Sequence, residues 1–257
     1  MQQLVAPMPV RARRCRLLLN RRVWGWLVLL WALPVLARAQ QVLVKGNVAE
    51  DTVRTLFGPN RRYFAHAFSG GGLVLGPAGG AGAQLRYGLP SNELELGGRL
   101  KRRISQTVAL TVAARYSLLT YGLAQTNRKT VPTPTLHLKE SLRLHQFSFE
   151  SGVRLNAGRR GNVIGRYLDL LAWGGWVAAT SHLTEDEPAA NAGVSTTETT
   201  ERGLSYMARW PAGLGVRLGT GRVALTGRYR LTSTFKGSGT SWPELPRGVL
   251  GLEIGLF

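Results

Sequence analysis

Four histidines, His66, His137, His145 and His182, supply the imidazoles of this 257-residue sequence, and one of them stands close to both a hydroxyl and a carboxylate. His145, Ser148 and Glu150 could in principle perform acyl transfer, with the imidazole as general base to the serine Oγ and the acid orienting the imidazole. Their spacing argues against it. Ser148 and Glu150 are two residues apart and share one face of a strand, whereas His145 is an odd number of residues from Ser148 and joins them only across an irregularity. The sequence contains no glycine loop of the phosphate-cradling kind and no histidines at metal-ligand spacing. Gly70, Gly71 and Gly72 read instead as relief for sheet curvature. The expectation is a non-enzymatic protein with no cofactor and no metal.

The larger chemical signal is charge alternating with apolar side chains. Leu204, Tyr206, Ala208, Trp210, Ala212, Leu214, Val216 and Leu218 recur at every second position and are separated by Arg209, Arg217 and small residues. After Gly219-Thr220-Gly221 the alternation resumes, with Val223, Leu225, Gly227, Tyr229 and Leu231 on one face and Arg222, Ala224, Thr226, Arg228 and Arg230 on the other. Period-two alternation around a glycine turn predicts a long hairpin with one apolar and one cationic face. Similar stretches cover 64–75, 93–103, 107–118, 139–155, 163–180 and 247–257. In 139–155 the apolar phase shifts from Leu142 and Leu144 to Phe147 and Phe149, which predicts a β-bulge near His145 and Gln146. In 163–180 two phases compete, and Tyr167 and Asp169 are assigned inward.

The start of the chain has the layout of an export signal. Arginines from Arg11 to Arg22 precede the apolar run Val23 to Leu36, and Ala37-Arg38-Ala39 forms a cleavage site. Fourteen apolar residues interrupted by Pro34 fall short of the roughly 20 that span a bilayer as a helix. The expected organisation is therefore a signal over 1–39, a periplasmic lead-in over 40–63 and one β domain over 64–257. Cys15, the only cysteine, falls in the removed segment, so the mature chain has no disulfide. The formal charge of +19 falls to +12 after cleavage, because seven of the 33 basic residues and none of the 14 acids precede Gln40. The remaining arginines alternate along strands and form no contiguous patch, which speaks against nucleic acid as a partner.

Connections between the strands alternate strictly. Those at 105–106, 158–161 and 219–221 are short; those at 76–92, 120–138, 181–202 and 236–246 are long. Short turns at one end and long loops at the other fit an antiparallel barrel that crosses an outer membrane. Strands of 11 to 17 residues exceed the usual five or six of soluble sheets and suffice to span a bilayer. The predicted fold is all-β: an eight-stranded antiparallel up-and-down transmembrane β-barrel with short periplasmic turns and longer extracellular loops.

This architecture, together with the terminal Phe257, resembles the small eight-stranded outer-membrane barrels of the kind that includes OmpA and OmpX, and the generic outer-membrane β-barrel proteins of Bacteroidetes-type bacteria. The resemblance covers 64–257. It implies residence in the outer membrane of a Gram-negative bacterium, contact with outer-membrane lipid and lipopolysaccharide, and handling by the barrel-assembly machinery. One feature departs from the pattern: the positions two, four and six before Phe257 are Gly255, Glu253 and Gly251, so a terminal bulge or a variant assembly signal is required. Some barrels of this size resemble lipid A deacylases or palmitoyl transferases, but the His-x-Ser-Asn pattern of the deacylases is missing.

An eight-stranded barrel has an interior that side chains fill. The expected lumen network is Arg99, Lys101, Arg103, Arg115, Glu150, Arg154, Asp169, Arg209, Arg217, Arg228, Arg230 and Glu253, with Glu150, Asp169 and Glu253 accepting hydrogen bonds from arginines. Tyr116, Tyr206, Trp210 and Tyr229 are expected to face lipid. Glu185, Asp186 and Glu187 form an acidic loop cluster that could share divalent cations with lipopolysaccharide phosphates. The functional expectation is an envelope-supporting barrel whose mobile loops meet an extracellular ligand; the alternatives are a narrow anion-preferring pore and a lipid A-modifying enzyme. N-terminal sequencing of the exported protein is expected to begin near Gln40, and an intact mass retaining residues 1–39 would contradict the signal assignment.

Overall fold

A computed structural model of the chain describes residues 56–158, 161–188, 195–236 and 242–257. Chain contacts separate Met1–Val53 from Arg54–Phe257, and the described residues all belong to the second unit. The expected export signal and most of the lead-in lie outside the described residues.

Nine strands form in chain order: β1 (Tyr63–Leu75), β2 (Asn92–Arg103), β3 (Val108–Gly122), β4 (Lys139–Ala157), β5 (Arg166–Asp186), β6 (Thr197–Arg202), β7 (Ala212–Thr220), β8 (Val223–Arg230) and β9 (Gly248–Leu256). Eight of them close a ring. Each of β1 to β4 pairs antiparallel with the next, β4 pairs with β5, β5 with β7, β7 with β8, β8 with β9, and β9 returns to β1. Closure leaves no free sheet edge in the wall. Strand β6 stands outside the ring, paired only with the end of β5, so that Ser181 lies opposite Arg202 and Asp186 opposite Thr197. The segment 181–202, expected as a loop, is therefore partly a hairpin that prolongs the wall.

The alternation of the strands sorts side chains into two sets. Phe68, Arg99, Arg115, Glu150, Asp169, Arg217 and Glu253 point into the lumen, whereas Leu96, Val112, Phe149, Leu170, Val216, Leu225 and Leu252 point out and stay exposed. Tyr167 and Asp169 are both buried in the lumen, which resolves the two competing phases of β5.

Two local expectations are corrected. First, Gly203 to Leu218 is not one strand. Strand β6 ends at Arg202, Gly203 adopts φ +72°, and Met207 N–H turns back to the Leu204 carbonyl at 3.3 Å before the sheet resumes at Ala212. Pro211, which has no N–H to donate, precedes the new strand. Met207 is buried and bridges Phe235, so the apolar alternation of 204–210 does not mark a wall face. Second, the irregularity expected near His145 and Gln146 is present as a register shift, but β4 keeps its own alternation through it. The extra residue is Ala178 on β5, opposite the His145–Gln146 step. Leu142 and Leu144 face inward because the lumen itself becomes apolar at that end.

That apolar end is built by the long connections. Ala83 and Leu85 from 76–91, Leu123 and Val131 from 123–138, Met207, Phe235 and Leu245 pack over Val74, Leu119, Tyr121, Leu142, Leu144 and Val177. Tyr206, Phe235 and Trp242 add ring contacts, with centroids 5.0 Å apart for Tyr206 and Trp242 and 5.3 Å for Phe235 and Trp242. The described parts of the loops thus form a lid with its own core, in contrast to the mobile loops expected from their composition. At the opposite end Phe257 follows the inward phase of Gly255. Its ring meets Phe64 and His66 at 5.2 and 5.4 Å, and a Cβ on Gly255 would lie 2.7 Å from it. No terminal bulge is needed.

Gly97 is among the glycines that packing requires. A Cβ on Gly97 would lie 2.4 Å from the Ala114 carbonyl oxygen and 2.7 Å from the ring of Phe68, itself 1% exposed. Gly97→Val is expected to cost about 1–3 kcal/mol through overpacking, read as a lower urea midpoint for the refolded barrel. An unchanged midpoint would contradict this packing.

Candidate functional site

The lumen is the most highly organised chemical feature of the molecule. Arg99 donates to both oxygens of Glu253 at 2.5 and 2.7 Å, linking β2 to β9. Arg154 donates Nε and Nη2 to Asp169 at 2.7 and 2.8 Å, linking β4 to β5. Arg217 on β7 is the hub: it donates to Asp169 at 3.0 Å and Glu150 at 2.8 Å, and its Nε lies 3.2 Å from Glu253. Arg115 donates to Glu150 at 2.5 Å and lies 3.3 Å from Glu95. Arg228 reaches Glu93 at 2.6 Å and Glu95 at 2.9 Å.

Five arginines therefore meet five carboxylates, and the bidentate and shared geometries are those that best offset desolvation of both charges. The sequence suggested a cationic surplus, but the middle of the lumen is balanced. Aromatic faces support the guanidinium groups: Arg154 lies 3.6 Å from the Tyr167 ring centre and Arg99 4.4 Å from that of Phe68. A void of about 30 Å³ lined by Glu93, Arg115, Tyr121, Trp173 and Arg228 remains beside the network, roughly the space of one water molecule.

The other expected lumen residues divide. Lys101 is 1% exposed, donates to the Pro59 carbonyl and lies over the Phe64 ring. Arg230 is buried toward the loop lid, donates to the Thr232 and Leu245 carbonyls and pairs with Glu244 at 3.0 Å. Arg103 sits at the short-turn end, partly exposed, and donates to the Asn60 carbonyl at 2.7 Å. Arg209 is not in the lumen. It belongs to the connection 203–211, between the named strands β6 and β7, and is exposed.

The outward set also divides. Tyr229 is 53% and Trp210 73% exposed, and Tyr116 is partly exposed with its hydroxyl 2.7 Å from His145 Nδ1. Tyr206, expected outside, packs instead in the loop lid against Trp242. Burial raises its pKa to about 12, helped by the charges of Glu201 and Glu140. His145 faces outward while Ser148 and Glu150 face the lumen, so the three candidate acyl-transfer side chains lie on opposite sides of the wall.

The acidic cluster does not converge. Glu185 pairs with Lys139 at 2.8 Å, Asp186 with His137 at 2.7 Å, and Glu187 is exposed. Among the described residues no three acidic, histidine or cysteine side chains come together as a metal site.

A second polar assembly, which the sequence did not reveal, stands beyond the apolar part of the wall, where the outward positions of β4 become Lys139, Ser141 and Arg143. Glu140, inward and 4% exposed, receives Gln125 Nε2 at 2.8 Å and contacts Lys129 Nζ, while His182 Nε2 lies 2.8 Å from its other oxygen. His182 Nδ1 is 3.3 Å from Glu201 on β6. The cluster clamps the connection 123–138 and the β5–β6 hairpin together. Burial pushes the His182 pKa down, but hydrogen bonds to Glu140 and Glu201 outweigh it and the net shift is upward. Burial pushes Glu140 up, but hydrogen bonds from His182, Lys129 and Gln125 hold it below the usual carboxylate value. Only their spacing across three separate segments could have signalled these partners.

No protein-family model and no curated protein matches the chain. Among solved structures, the crystal structure of the N-terminal β-barrel domain of Pseudomonas aeruginosa OprF is similar at 8% identity, covering 75% of this chain and 97% of that chain with a TM-score of 0.26. The chain forms a closed eight-stranded antiparallel barrel. That assignment stands on its own strand pairings and not on the likeness.

Two measurements check these assemblies. Asp169→Ala removes the shared partner of Arg154 and Arg217 and is expected to destabilise the barrel by about 3–5 kcal/mol, whereas Glu185→Ala breaks a largely exposed pair and is expected to cost about 0–1 kcal/mol; equal effects would contradict the network. For the clamp, the raised His182 contributes stability fully present below its unfolded pKa and lost as pH rises through the folded value. The lowered Glu140 contributes stability present above its unfolded pKa and lost as pH falls through the folded one. Amide exchange in β6 is thus expected to be slowest in mildly acidic solution and to quicken on both sides, with His182→Asn flattening the alkaline limb. A flat profile in the unsubstituted protein would refute the clamp.

Proposed function

We propose that this protein is a non-enzymatic outer-membrane barrel that supports the cell envelope and presents its lidded loop end to the outside. The observation that carries this reading is the inverted polarity of the wall. Among the described residues, no outward strand position between Arg102 and Arg166 at the short-turn end and Arg143 and Arg209 at the loop end carries an acidic, lysine or arginine side chain. Large apolar side chains stand at such positions on β2, β3, β4, β5, β7, β8 and β9, as with Leu96, Val112, Phe149, Leu170, Leu218, Leu225 and Ile254, while β1 presents the smaller Ala65, Ala67, Ser69 and Gly71 before Leu73 and Leu75. A soluble monomer rarely exposes an apolar patch beyond a few hundred Å². A spanning barrel requires such a band, together with ring closure, because hydrocarbon satisfies no backbone hydrogen bond.

Exposed aromatics gather near the loop-side edge of this band. Tyr116 lies opposite Phe147, which lies opposite Trp176. Hydrogen bonds from Gly175 N–H to the Pro211 carbonyl and from Val177 N–H to the Arg209 carbonyl, both 2.9 Å, bring Trp210 level with Trp176. Amphipathic rings favour the membrane interface, and the sequence placed Trp210 mid-strand only because the strand was read as continuing to Gly203.

The paired lumen and the apolar lid favour a sealed structural element over the anion-preferring pore. In this reading the partners are outer-membrane lipid, lipopolysaccharide and, during biogenesis, the barrel-assembly machinery. Fractionation should place the protein with Gram-negative outer membranes, and it should migrate differently on denaturing gels before and after boiling. A soluble product with no heat-dependent shift would overturn the proposal. Unaltered lipid A masses in a deletion strain are expected, and a change restored by the wild-type chain would favour the enzyme alternative.

A further inference from the structure

We propose that the outer wall carries a binding site for the phosphate of an anionic lipid headgroup, in the groove beside β5 where the connection 203–211 follows β6. This rests on the membrane reading above and adds a specific ligand chemistry to it. The groove, of about 530 Å³, is lined by Arg143 and His145 of β4, Arg202 of β6 and Arg209 of the connection, with Leu118 and Leu204 among its apolar members. It begins next to the aromatic row: His145 is two residues from Phe147 on the same strand and lies opposite Leu118, two residues from Tyr116, while Arg209 precedes Trp210. At about 3.3 Å per residue along a strand, His145 lies roughly 7 Å and Arg143 roughly 13 Å beyond Phe147, while Arg209 adjoins Trp210 in sequence. Interfacial rings sit at headgroup level, so the groove runs outward from that level, where lipid phosphates lie.

The charge state of the groove separates it from the lumen. The buried arginines of the network are each matched by carboxylates, whereas Arg143, Arg202 and Arg209 have no ion pair to any described residue. Glu198 also lines the groove, yet it lies opposite Glu185 in the β5–β6 hairpin and pairs with none of these arginines. The cations are also confined to one side. At the register level of Arg143, the ladder continues through Thr120 on β3 to Asn92 on β2 and Leu73 on β1, none of them charged. Three unpaired guanidinium groups around one concavity match a phosphate, which accepts forked, charge-assisted hydrogen bonds. The apolar members continue into the uncharged band and give the acyl chain a surface to follow. An acidic peptide would satisfy the charges but not the depth.

Native mass spectrometry of the full folded chain, delipidated and titrated with phosphatidic acid or with phosphatidylcholine of the same acyl chains, tests this. Phosphatidic acid is expected to be retained at least about tenfold better, the equivalent of one charge-assisted contact. The combined substitution Arg143→Gln, Arg202→Gln and Arg209→Gln should abolish that preference, and Arg102→Gln, Arg166→Gln and Arg222→Gln at the other rim should keep it. Arg209→Gln alone, in an exposed connection, should weaken it severalfold and serves if the triple variant fails the heat-shift test of folding. Equal retention of both lipids, or an equal loss in the two triple variants, would overturn the site while leaving the membrane reading intact. Displacement of phosphatidic acid by an equal concentration of inorganic phosphate would assign the groove to free anion and overturn the lipid assignment. Retention of neither lipid would overturn both readings.

Discussion

The fold depends on five arginines meeting five carboxylates inside a wall too narrow for bulk water. A lone charge in that space would cost several kcal/mol, and removing one partner leaves its mate uncompensated. The network therefore works as a unit. Arg217 alone ties β7 to β4, β5 and β9, and Arg99 with Glu253 joins β2 to β9 on either side of the β1 seam. β1 contributes no charge at this level. Its inward Gly70 leaves room for Glu95, whose carboxylate would lie 2.8 Å from a Cβ there, while its Phe68 ring supports Arg99. Paired charges and small inward residues on the strands beside them belong to the same packing solution.

This interior fixes how the two ends differ. At the short-turn end Phe64, Ile164, Tyr167 and Ala224 close the barrel with help from Phe257. At the other end the lumen changes from ionic to apolar, and the connections 76–91, 123–138 and 203–211 fold over it together with residues 231–236 and 242–247. The lid is held by a hydrophobic cluster and, at its border with the β5–β6 hairpin, by the Glu140–His182–Glu201 clamp. The inferred headgroup groove lies on the outer side of the same junction, so this irregular stretch of the wall is also where its exterior cations gather.

The parts legible in the sequence are those where period-two alternation is long and one face is uniform. β2, β3, β8 and β9 read off directly, as did the inward placement of Asp169, because in a closed wall each charge has only one face available. Where alternation had two causes the reading failed. Leu204, Tyr206 and Trp210 alternate by coincidence across a connection, and only tertiary packing of Met207 against Phe235 distinguishes that from a strand. Leu142 and Leu144 changed phase because the lumen changed character, which a single strand viewed alone cannot reveal. The balance of the central network was hidden too, since it required knowing that Arg209 lies outside the lumen and that Lys101 and Arg230 make their contacts toward its two ends.

The central claim is that this interior is a plug, with paired charges in the middle and an apolar lid above them. Single-channel recording of the refolded chain in planar bilayers tests it most directly. The expected result is a chain that inserts, shown by its protection from added protease, and gives no stable conductance steps. Reproducible anion-selective steps from the unsubstituted chain would contradict it and return the arginines to the wall of a pore.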